Sequence, residues 1–378
     1  MHNITNLTYL TYQVFPNQKA NNLQTIRMLE NFSKNQIKVK LFFPNRGNKD
    51  TTIDDIYKFY DIKENFEIYQ LAHKLPFNYF KYLDKFNFLI SNFIWSYYSV
   101  KNIMNKVDIN EVIMTRTPWV LYFLSKYKNL LIFECHKFSK INNFIFKRLK
   151  DKENIILIFT NNNLKNDFTI SKKLEKKSII LESSYEESLF SNFRKNKIKR
   201  KIVFVGNLLR FDKKRDIDFL IEVFNDEKLK DFNLVIIGGP NDVAEELQKI
   251  SGENIKFLGF MSNKNAIKEM ETAEIGILIN EKNRHSEKHT SPIKYFEYLR
   301  SGLKILAVNF DSHVKLPINE NVLYFEKGHK EDFMKNLFKL DHAEFKNNNE
   351  IIKYSYNYRV QRLLKHIARL EGLEPPTL

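Results

Sequence analysis

One cysteine, Cys135, stands among 378 residues. A lone thiol excludes an intrachain disulfide and a cysteine metal cluster. Long apolar runs are missing too. The most apolar window, Phe88 to Val100, covers 13 residues with polar interruptions, too short to span a bilayer. The opening MHNITNLTYLTYQVF has neither a basic start nor a long apolar core, so no secretory signal is read and a cytoplasmic location is expected. No G-x-G-x-x-G or Walker sequence occurs, which leaves dinucleotide oxidoreductase and ATPase chemistry unsupported. Acidic residues are in deficit: 61 Lys and Arg face 45 Asp and Glu, a net charge of +16. The imbalance is concentrated in residues 1–185, where 28 basic residues face 16 acidic ones, a net of +12. Such a balance commonly suits nucleic acid, but no nucleic-acid module is recognisable and none is expected as a partner. An anionic lipid surface would exert the same attraction. Richness in Phe, Ile, Lys, Asn and Tyr is also what an AT-rich coding sequence produces.

What is present is an alternation of buried strands and amphipathic helices over a length that accommodates two domains. Residues 8–43 read as strand, loop, helix and strand. Leu23, Ile26, Met28, Leu29 and Phe32 give the helix an apolar side, with Asn21 or Asn22 as its cap. Between residues 57 and 106, Phe77, Phe80, Leu83, Phe86, Ile90, Phe93, Ile94, Tyr97 and Tyr98 recur at threes and fours among Lys74, Lys81, Lys85 and Lys101. This predicts an amphipathic helix, packed on a sheet or entering a membrane interface with Trp95 among its aromatics. NEVIMTRTP is a short strand ending in Arg116, and NLLIFECHKF is another that delivers Glu134 and His136 at its end. Ligands bind outside the carboxyl ends of strands in open α/β sheets, which makes these side chains candidates. The basic run Arg194 to Lys201 reads as a solvated linker before the strand KIVFVGN. In the following loop, NLLRFDKKRD, Arg210, Lys214 and Arg215 are three cations ahead of a helix. Asp216 and Asp218 form a DxD at that helix start, where acidic residues are ordinary dipole partners, so no metal is assigned to them.

The most informative stretch is His289 to Asn309, HTSPIKYFEYLRSGLKILAVN. Ser291 and Pro292 read as an N-cap and first helical residue, and Gly302 closes the helix before an apolar strand. Lys294 adds positive charge where the helix dipole is already positive, so an anion such as a phosphate is expected there. Glu297 lies on the same face and could accept from sugar hydroxyls. A surface Lys/Glu pair would account for the same two residues.

SPxKxxEYxxSGxxI followed by a strand resembles the donor-binding segment of retaining glycosyltransferases of the two-domain GT-B fold, close to glycosyltransferase family 4. The order YxTYQxFPxxxAN near the start, the strand-end histidine and the closing KYSYNYRVQRLLKHIARL are similar to the same family. The resemblance implies an α/β architecture of two Rossmann-like domains facing each other across a cleft, with a C-terminal helix crossing back to the first. The expected division is 1–185 (acceptor side), 186–345 (nucleotide-sugar donor side), 346–370 (returning helical segment) and 371–378 (disordered tail). It also implies residue roles: Arg210, Lys214, Arg215, Ser291, Pro292 and Lys294 on the donor diphosphate, Glu297 on the ribose, Gly259 and Phe260 lining the base. His136 would be catalytic beside the sugar, with Asn21, Asn22, Arg116, Glu134 and His289 as sugar or acceptor contacts. His289 stands where the family usually carries an acidic residue, and Asp216 replaces its usual glycine. The implied activity is a metal-independent hexosyl or related sugar transfer from a nucleoside-diphosphate sugar to a hydroxyl of a glycan or lipid-linked acceptor, as in cell-surface polysaccharide or glycolipid biosynthesis. No cofactor is expected beyond the donor substrate, and an anionic membrane surface is a candidate partner. A GT-B nucleotide-sugar epimerase and a non-catalytic subunit with a degenerate donor site are the alternatives.

Overall fold

In a computed structural model, residues 4–46, 52–62, 65–73, 84–191, 197–210, 213–370 and 372 are described. The chain forms two compact units, Met1–Glu182 with Tyr356–Leu378, and Ser183–Ser355.

The first unit runs β1 (Asn6–Leu10), α1 (Ala20–Lys34), β2 (Lys38–Pro44), α2 (Ile53–Tyr60), β3 (Glu67–Leu71), α3 (Asp84–Ile103), β4 (Val112–Thr115), α4 (Pro118–Leu124), β5 (Leu131–Cys135), α5 (Lys140–Arg148), β6 (Ile155–Phe159), the short α6 (Asn162–Asn166) and α7 (Lys172–Lys176), and β7 (Ile179–Ile180). Its seven strands are all parallel in the order β3-β2-β1-β4-β5-β6-β7. Helices cover both faces of such a sheet, so its strands read as unbroken apolar runs; every residue of β5 and β6 is buried. The second unit continues with β8 (Lys201–Val205), the two-residue strands β9 (Leu209–Arg210) and β10 (Lys213–Lys214), α8 (Ile217–Phe224), β11 (Asn233–Ile237), α9 (Asn241–Gln248), β12 (Ile255–Phe257), α10 (Asn263–Thr272), β13 (Ile275–Leu278), α11 (Ile293–Arg300), β14 (Lys304–Val308), α12 (Asp311–Val314), β15 (Val322–Phe325) and α13 (Lys330–His342). Its main sheet is parallel in the order β12-β11-β8-β13-β14-β15. The last helix, α14 (Tyr356–Leu370), belongs to the first unit and packs on α1.

In both sheets the strand order reverses beside the unit's first strand, between β1 and β4 and between β8 and β13. Loops leaving these neighbouring strands run in opposite directions and open a crevice at their carboxyl ends.

Several local expectations need correction. The N-cap of α1 is Lys19, without a side-chain cap bond; Asn21 and Asn22 lie within the first turn, and Asn22 Nδ2 instead donates to the Val14 carbonyl at 2.7 Å. The apolar stripe of α1 is accompanied by buried Gln24, Arg27, Glu30 and Asn31, because further sides of the helix are covered: α14 packs on α1, and Tyr60 and Asn65 meet Arg27 and Glu30. The inward Arg27 is satisfied by Glu30 at 2.8 Å and by the Tyr60 carbonyl. Helix α3 starts at Asp84, and Lys74, Phe77, Phe80, Lys81 and Leu83 lie outside the described residues. Trp95 does not face outward: it is 1% exposed and packs in the core against Tyr12. Nor are the described residues of the basic run before β8 a solvated linker. Lys197 donates to the Ala273 and Ser301 carbonyls at 2.6 and 2.7 Å, Arg200 pairs with Asp341 at 3.0 Å, and Lys201 pairs with Glu269 at 2.6 Å. Arg194 lies outside the described residues, as does the tail from 373 to 378.

His313, in α12, is fully buried with Nδ1 bonded to the Val308 carbonyl at 3.0 Å, and burial pushes its pKa down to about 4. A depressed histidine means that the unfolded chain binds more protons between pH 6.5 and 4, so stability falls with pH across that window. The ring contributes roughly 3 kcal/mol to this loss. The unfolding midpoint of the second unit is therefore expected to drop on acidification from pH 6.5 to 4, and to drop less in His313→Asn, whose amide keeps the Val308 bond without titrating. Parallel pH dependences of the two proteins in scanning calorimetry would refute this assignment.

Candidate functional site

At the reversal point of the second sheet, backbone comes close to backbone. A Cβ on Gly238 would lie 1.8 Å from the Gly206 carbonyl oxygen, and Gly238 has φ +154°, so neither a larger side chain nor ordinary L-backbone geometry fits. The Arg215 guanidinium lies over Gly206, with Nη1 2.6 Å from where a Cβ on that glycine would be. Of the three cations expected at the diphosphate, Arg215 thus has its side chain at the carboxyl end of β8. Arg210 and Lys214 sit on the paired two-residue strands β9 and β10 within that loop.

Helix α11 begins at Ile293, one residue later than the Ser-Pro signal suggests. Pro292 occupies the cap position and has no side chain to accept from the first amides. The Ser291 hydroxyl is not the cap; it accepts from the Ser183 amide at 2.9 Å. The start of α11 therefore keeps its amides without a side-chain cap, an arrangement able to receive an anion. Lys294 and Glu297 are ion-paired, but the Glu297 side chain is 2% exposed and that of Lys294 25%, so this is not a surface pair. Tyr298, one residue on, anchors the helix: its hydroxyl accepts from the Val205 amide at 2.9 Å, and its ring lies where a Cβ on Gly276 would meet it at 2.6 Å. The helix ends as expected. Gly302 has φ +73°, with Gly302 and Leu303 amides bonded to the Leu299 and Tyr298 carbonyls.

The residues expected to line a base are close to this end of the sheet. The Gly238 amide donates to the Gly259 carbonyl at 2.9 Å, the Phe260 amide to Asn241 Oδ1 at 2.8 Å, and the Phe260 ring is 46% exposed. His289 ends a π-helical turn, His285–His289, and is buried, with the His285 ring 6.1 Å away. Asp216 is paired with Lys327 at 2.6 Å and Asp218 is exposed in the first turn of α8. Among the described residues no three His, Cys, Asp or Glu side chains gather as a metal site would.

In the first unit, the ends of β4 and β5 meet in one charged cluster. Glu134 is 1% exposed. Its Oε2 accepts from Arg116 Nε at 2.8 Å with Nη2 at 2.7 Å, and its Oε1 accepts from Arg359 Nη2 at 2.7 Å with His136 Nε2 at 3.0 Å. Glu134, read from sequence as a ligand contact, is thus an internal carboxylate whose oxygens are consumed by protein groups. Burial would raise its pKa, but the two arginines outweigh it and hold the group well below the usual carboxylate range. Arg116 also donates to the Asn21 carbonyl at 3.1 Å, tying the start of α1 to the same cluster, whereas the exposed Asn21 side chain and the buried Asn22 make no contact with it that the geometry records. His136 keeps 29% of its side chain exposed at the strand end. Burial of the ring and the facing arginines push its pKa down to about 4, so it is neutral at pH 7. Cys135 points to the opposite face and is buried, its thiol pushed up to about 12 by burial, so it is unreactive.

Sequence reading missed Arg359. Its signal was present: Tyr356, Val360, Leu363 and Ile367 mark an apolar stripe on α14, and a cation within such a stripe needs a buried anion.

Residues 186–358 match the family model of glycosyl transferases group 1. Over the whole chain, sucrose-phosphate synthase from Thermosynechococcus elongatus superposes with a TM-score of 0.70 at 12% identity, covering 97% of this chain and 99% of that one. An E. coli trehalose-6-phosphate protein bound with UDP-2-fluoro glucose gives 0.66 at 11% identity, covering 98% and 100%. The lipopolysaccharide outer core galactosyltransferase WaaB, in its apo form, gives 0.63 at 12%, covering 96% and 99%. Identities this low speak for the fold alone. DNA-directed RNA polymerase subunit beta' of Oedogonium cardiacum is 31% identical over 115 residues, which is 30% of this chain and only 6% of that protein's length. With a group 1 match over its second unit and the GT-B fold over its length, the chain is a glycosyltransferase.

Proposed function

We propose that this glycosyltransferase is a retaining, metal-independent enzyme, close to glycosyltransferase family 4, that moves a sugar from a nucleoside-diphosphate donor to a hydroxyl of a glycan or lipid-linked acceptor in cell-surface polysaccharide or glycolipid synthesis. The observation that carries the donor half is the end of β8 and the start of α11: an arginine over a glycine, uncapped helix amides, and a buried carboxylate partnered by a lysine. As the glycosidic bond breaks, the leaving diphosphate gathers charge, and fixed amides with cations stabilise it most at the transition state. Arg215 and Lys294 supply that charge without a metal. Glu297, released from Lys294 by the arriving phosphate, accepts from the ribose hydroxyls. Phe260 offers an exposed ring face to the base, Arg210 and Lys214 flank the diphosphate, and Ser291 and Pro292 fix the angle at which α11 meets it. His289 sits on the sugar side, where an imidazole replaces the family's acid. Neutral His136 meets the sugar. Acceptor-dependent release of free nucleoside diphosphate, with the anomeric configuration of the product read by NMR, tests the reading as a whole. Release without acceptor or inversion at the anomeric carbon refutes it.

Glu297→Gln should weaken nucleoside-diphosphate binding by roughly 1.5–3 kcal/mol, the worth of a charge-assisted bond, while leaving the unfolding midpoint within a few degrees. Titration calorimetry with unchanged affinity would remove Glu297 from the site.

His136→Ala should lower turnover far more than it lowers affinity for the bare nucleoside diphosphate, because that ligand lacks the sugar. Equal losses in kcat and in nucleoside-diphosphate affinity would make His136 a structural residue.

A lipid-linked acceptor is supported by an outward aromatic surface on α3 and α4. Phe88, Leu89, Phe93, Tyr97 and Tyr98 are exposed, and Phe93 meets Trp119 and Phe123 edge-on at 4.9 and 5.2 Å. With the basic balance of residues 1–185, this surface suits peripheral attachment to an anionic membrane. The protein should float with anionic vesicles at low salt, be partly released as the Debye length shrinks below about 8 Å, and lose most of the remaining binding in Phe93→Ser/Tyr97→Ser. Trp95, being buried, is not a fair probe. Failure to float at low salt would make the charge compositional and point to a soluble acceptor.

A further inference from the structure

Asn241 opens α9 just after the carboxyl end of β11, and its side chain bonds to the loop after β12. Two backbone bonds hold that loop against β11: the Leu258 amide donates to the Ile236 carbonyl and the Gly238 amide to the Gly259 carbonyl, both at 2.9 Å. On the loop so fixed, the Phe260 amide donates to Asn241 Oδ1 at 2.8 Å. A backbone N–H only donates, so the atom facing it is the side-chain oxygen, and the orientation of the carboxamide is settled. Gly259 makes room for it. Its φ is +64°, and a Cβ there would lie 2.8 Å from Asn241 Oδ1, 3.4 Å from Cγ and 3.9 Å from Nδ2.

With the oxygen occupied, what Asn241 has left to offer is the N–H pair of Nδ2, which has no partner among the described residues. Asn241 is itself exposed, and the Phe260 ring tied to it is 46% exposed. The Phe260 amide, already bonded, has nothing to give a ligand. An aspartate at this position would hold that amide equally well, and as an anion in the first turn of a helix it would gain from the helix dipole. The tie to the loop therefore does not require asparagine. What asparagine adds is a donor where aspartate has a second acceptor.

We propose that Asn241 is a specificity-determining residue for the donor nucleotide: its Nδ2 donates to the exocyclic carbonyl of the base stacked on Phe260, so the site takes a keto base, uracil or guanine, in preference to an amino base, cytosine or adenine. This rests on the reading of the second unit as the holder of a nucleoside diphosphate, with Phe260 lining the base. Uracil and guanine carry an acceptor oxygen where cytosine and adenine carry an amino donor. An amino group turned towards Nδ2 sets donor against donor, and both lose the bond they would make in water.

The test uses the full chain and titration calorimetry with UDP, CDP, GDP and ADP. In whichever pair binds more tightly, pyrimidine or purine, the keto member should exceed the amino member by about tenfold. Asn241→Asp keeps an acceptor for the Phe260 amide and turns the remaining donor into an acceptor. Its added negative charge weakens all four diphosphates alike, so the keto-to-amino ratio is the readout, and it should fall by about tenfold or invert. In Asn241→Ala the ratio should approach one. A merely structural asparagine would lower all four affinities together and leave the ratio where it was. A wild-type ratio of one or less overturns the proposal whether or not the variants fold, and so does a folded Asn241→Asp with the wild-type ratio. Failure of the wild type to bind any of the four would overturn the donor reading itself, an outcome distinct from every value the ratio can take.

Discussion

A carboxylate removed from water has to be matched by charge, and the first unit is assembled around one such match. Glu134 sits at the end of β5, inside the protein, and two arginines bond to it, Arg116 from the residue after β4 and Arg359 from α14, with His136 Nε2 3.0 Å from the same carboxylate. The desolvation of two arginines and a carboxylate is expensive, and the Coulombic return offsets it only when the geometry is close and the remaining donors are satisfied. Here they largely are: Arg116 reaches the Asn21 carbonyl, and Arg359 reaches the carbonyls of Leu181 and Glu182. Taking one partner away from such a set leaves a buried charge uncompensated, at a cost on the order of 3–5 kcal/mol. A hydrophobic replacement of the whole set would stabilise at least as well, so stability alone does not account for it. What the ionic version provides is a tie between β4, β5 and α14 that no apolar contact would fix in direction.

The second unit meets its own constraint by a different means, with space rather than charge. Gly206 and Gly238 let two strand ends approach to a distance no Cβ tolerates, and Gly276 makes room for Tyr298. Through Tyr298 the start of α11 is registered against β8 and β13, since its hydroxyl bonds to Val205 and Ile277. Rigid placement matters because an anion seat made of amides works only if the amides are already aimed; a loose helix end would lose in ordering what it gained in binding. The proposed donor site gives the missing cap the same reading. A serine or aspartate at the cap position would satisfy the amides of α11 internally, add about 1 kcal/mol to helix stability, and close the seat.

Much of this was legible in the sequence because it is local. Strand and helix alternation, the Gly302 stop and the candidate residues of α11 follow from short-range pattern. The errors share a cause as well. Asn21, Asn22 and Ser291 are good caps in isolation, but α1 starts at Ala20, so Asn21 and Asn22 fall inside its first turn, Asn22 is drawn off to the Val14 carbonyl, and Ser291 is drawn off by the amide of Ser183 more than a hundred residues away. Trp95 has amphipathic spacing that fits a membrane-facing helix and a core helix equally, and only the position of Tyr12 on a neighbouring strand end decides between them. Glu134 looked like a ligand contact because strand ends usually carry them. That its oxygens are spent on Arg116 and Arg359 could not be read without knowing that residues 116, 134 and 359 meet.

The two ends of strands also differ in the sign of what they present, and the chemistry of sugar transfer gives a reason. At the end of β8 the Arg215 guanidinium lies over Gly206, and α11 starts without a side-chain cap, an arrangement suited to the anion of the proposed donor. At the end of β5 the cations are turned inward onto Glu134, and a neutral imidazole is what remains at the surface. The arginines that hold Glu134 ionised are also the ones that lower the His136 pKa, so a single buried carboxylate takes up both cations while the imidazole beside them stays neutral at pH 7.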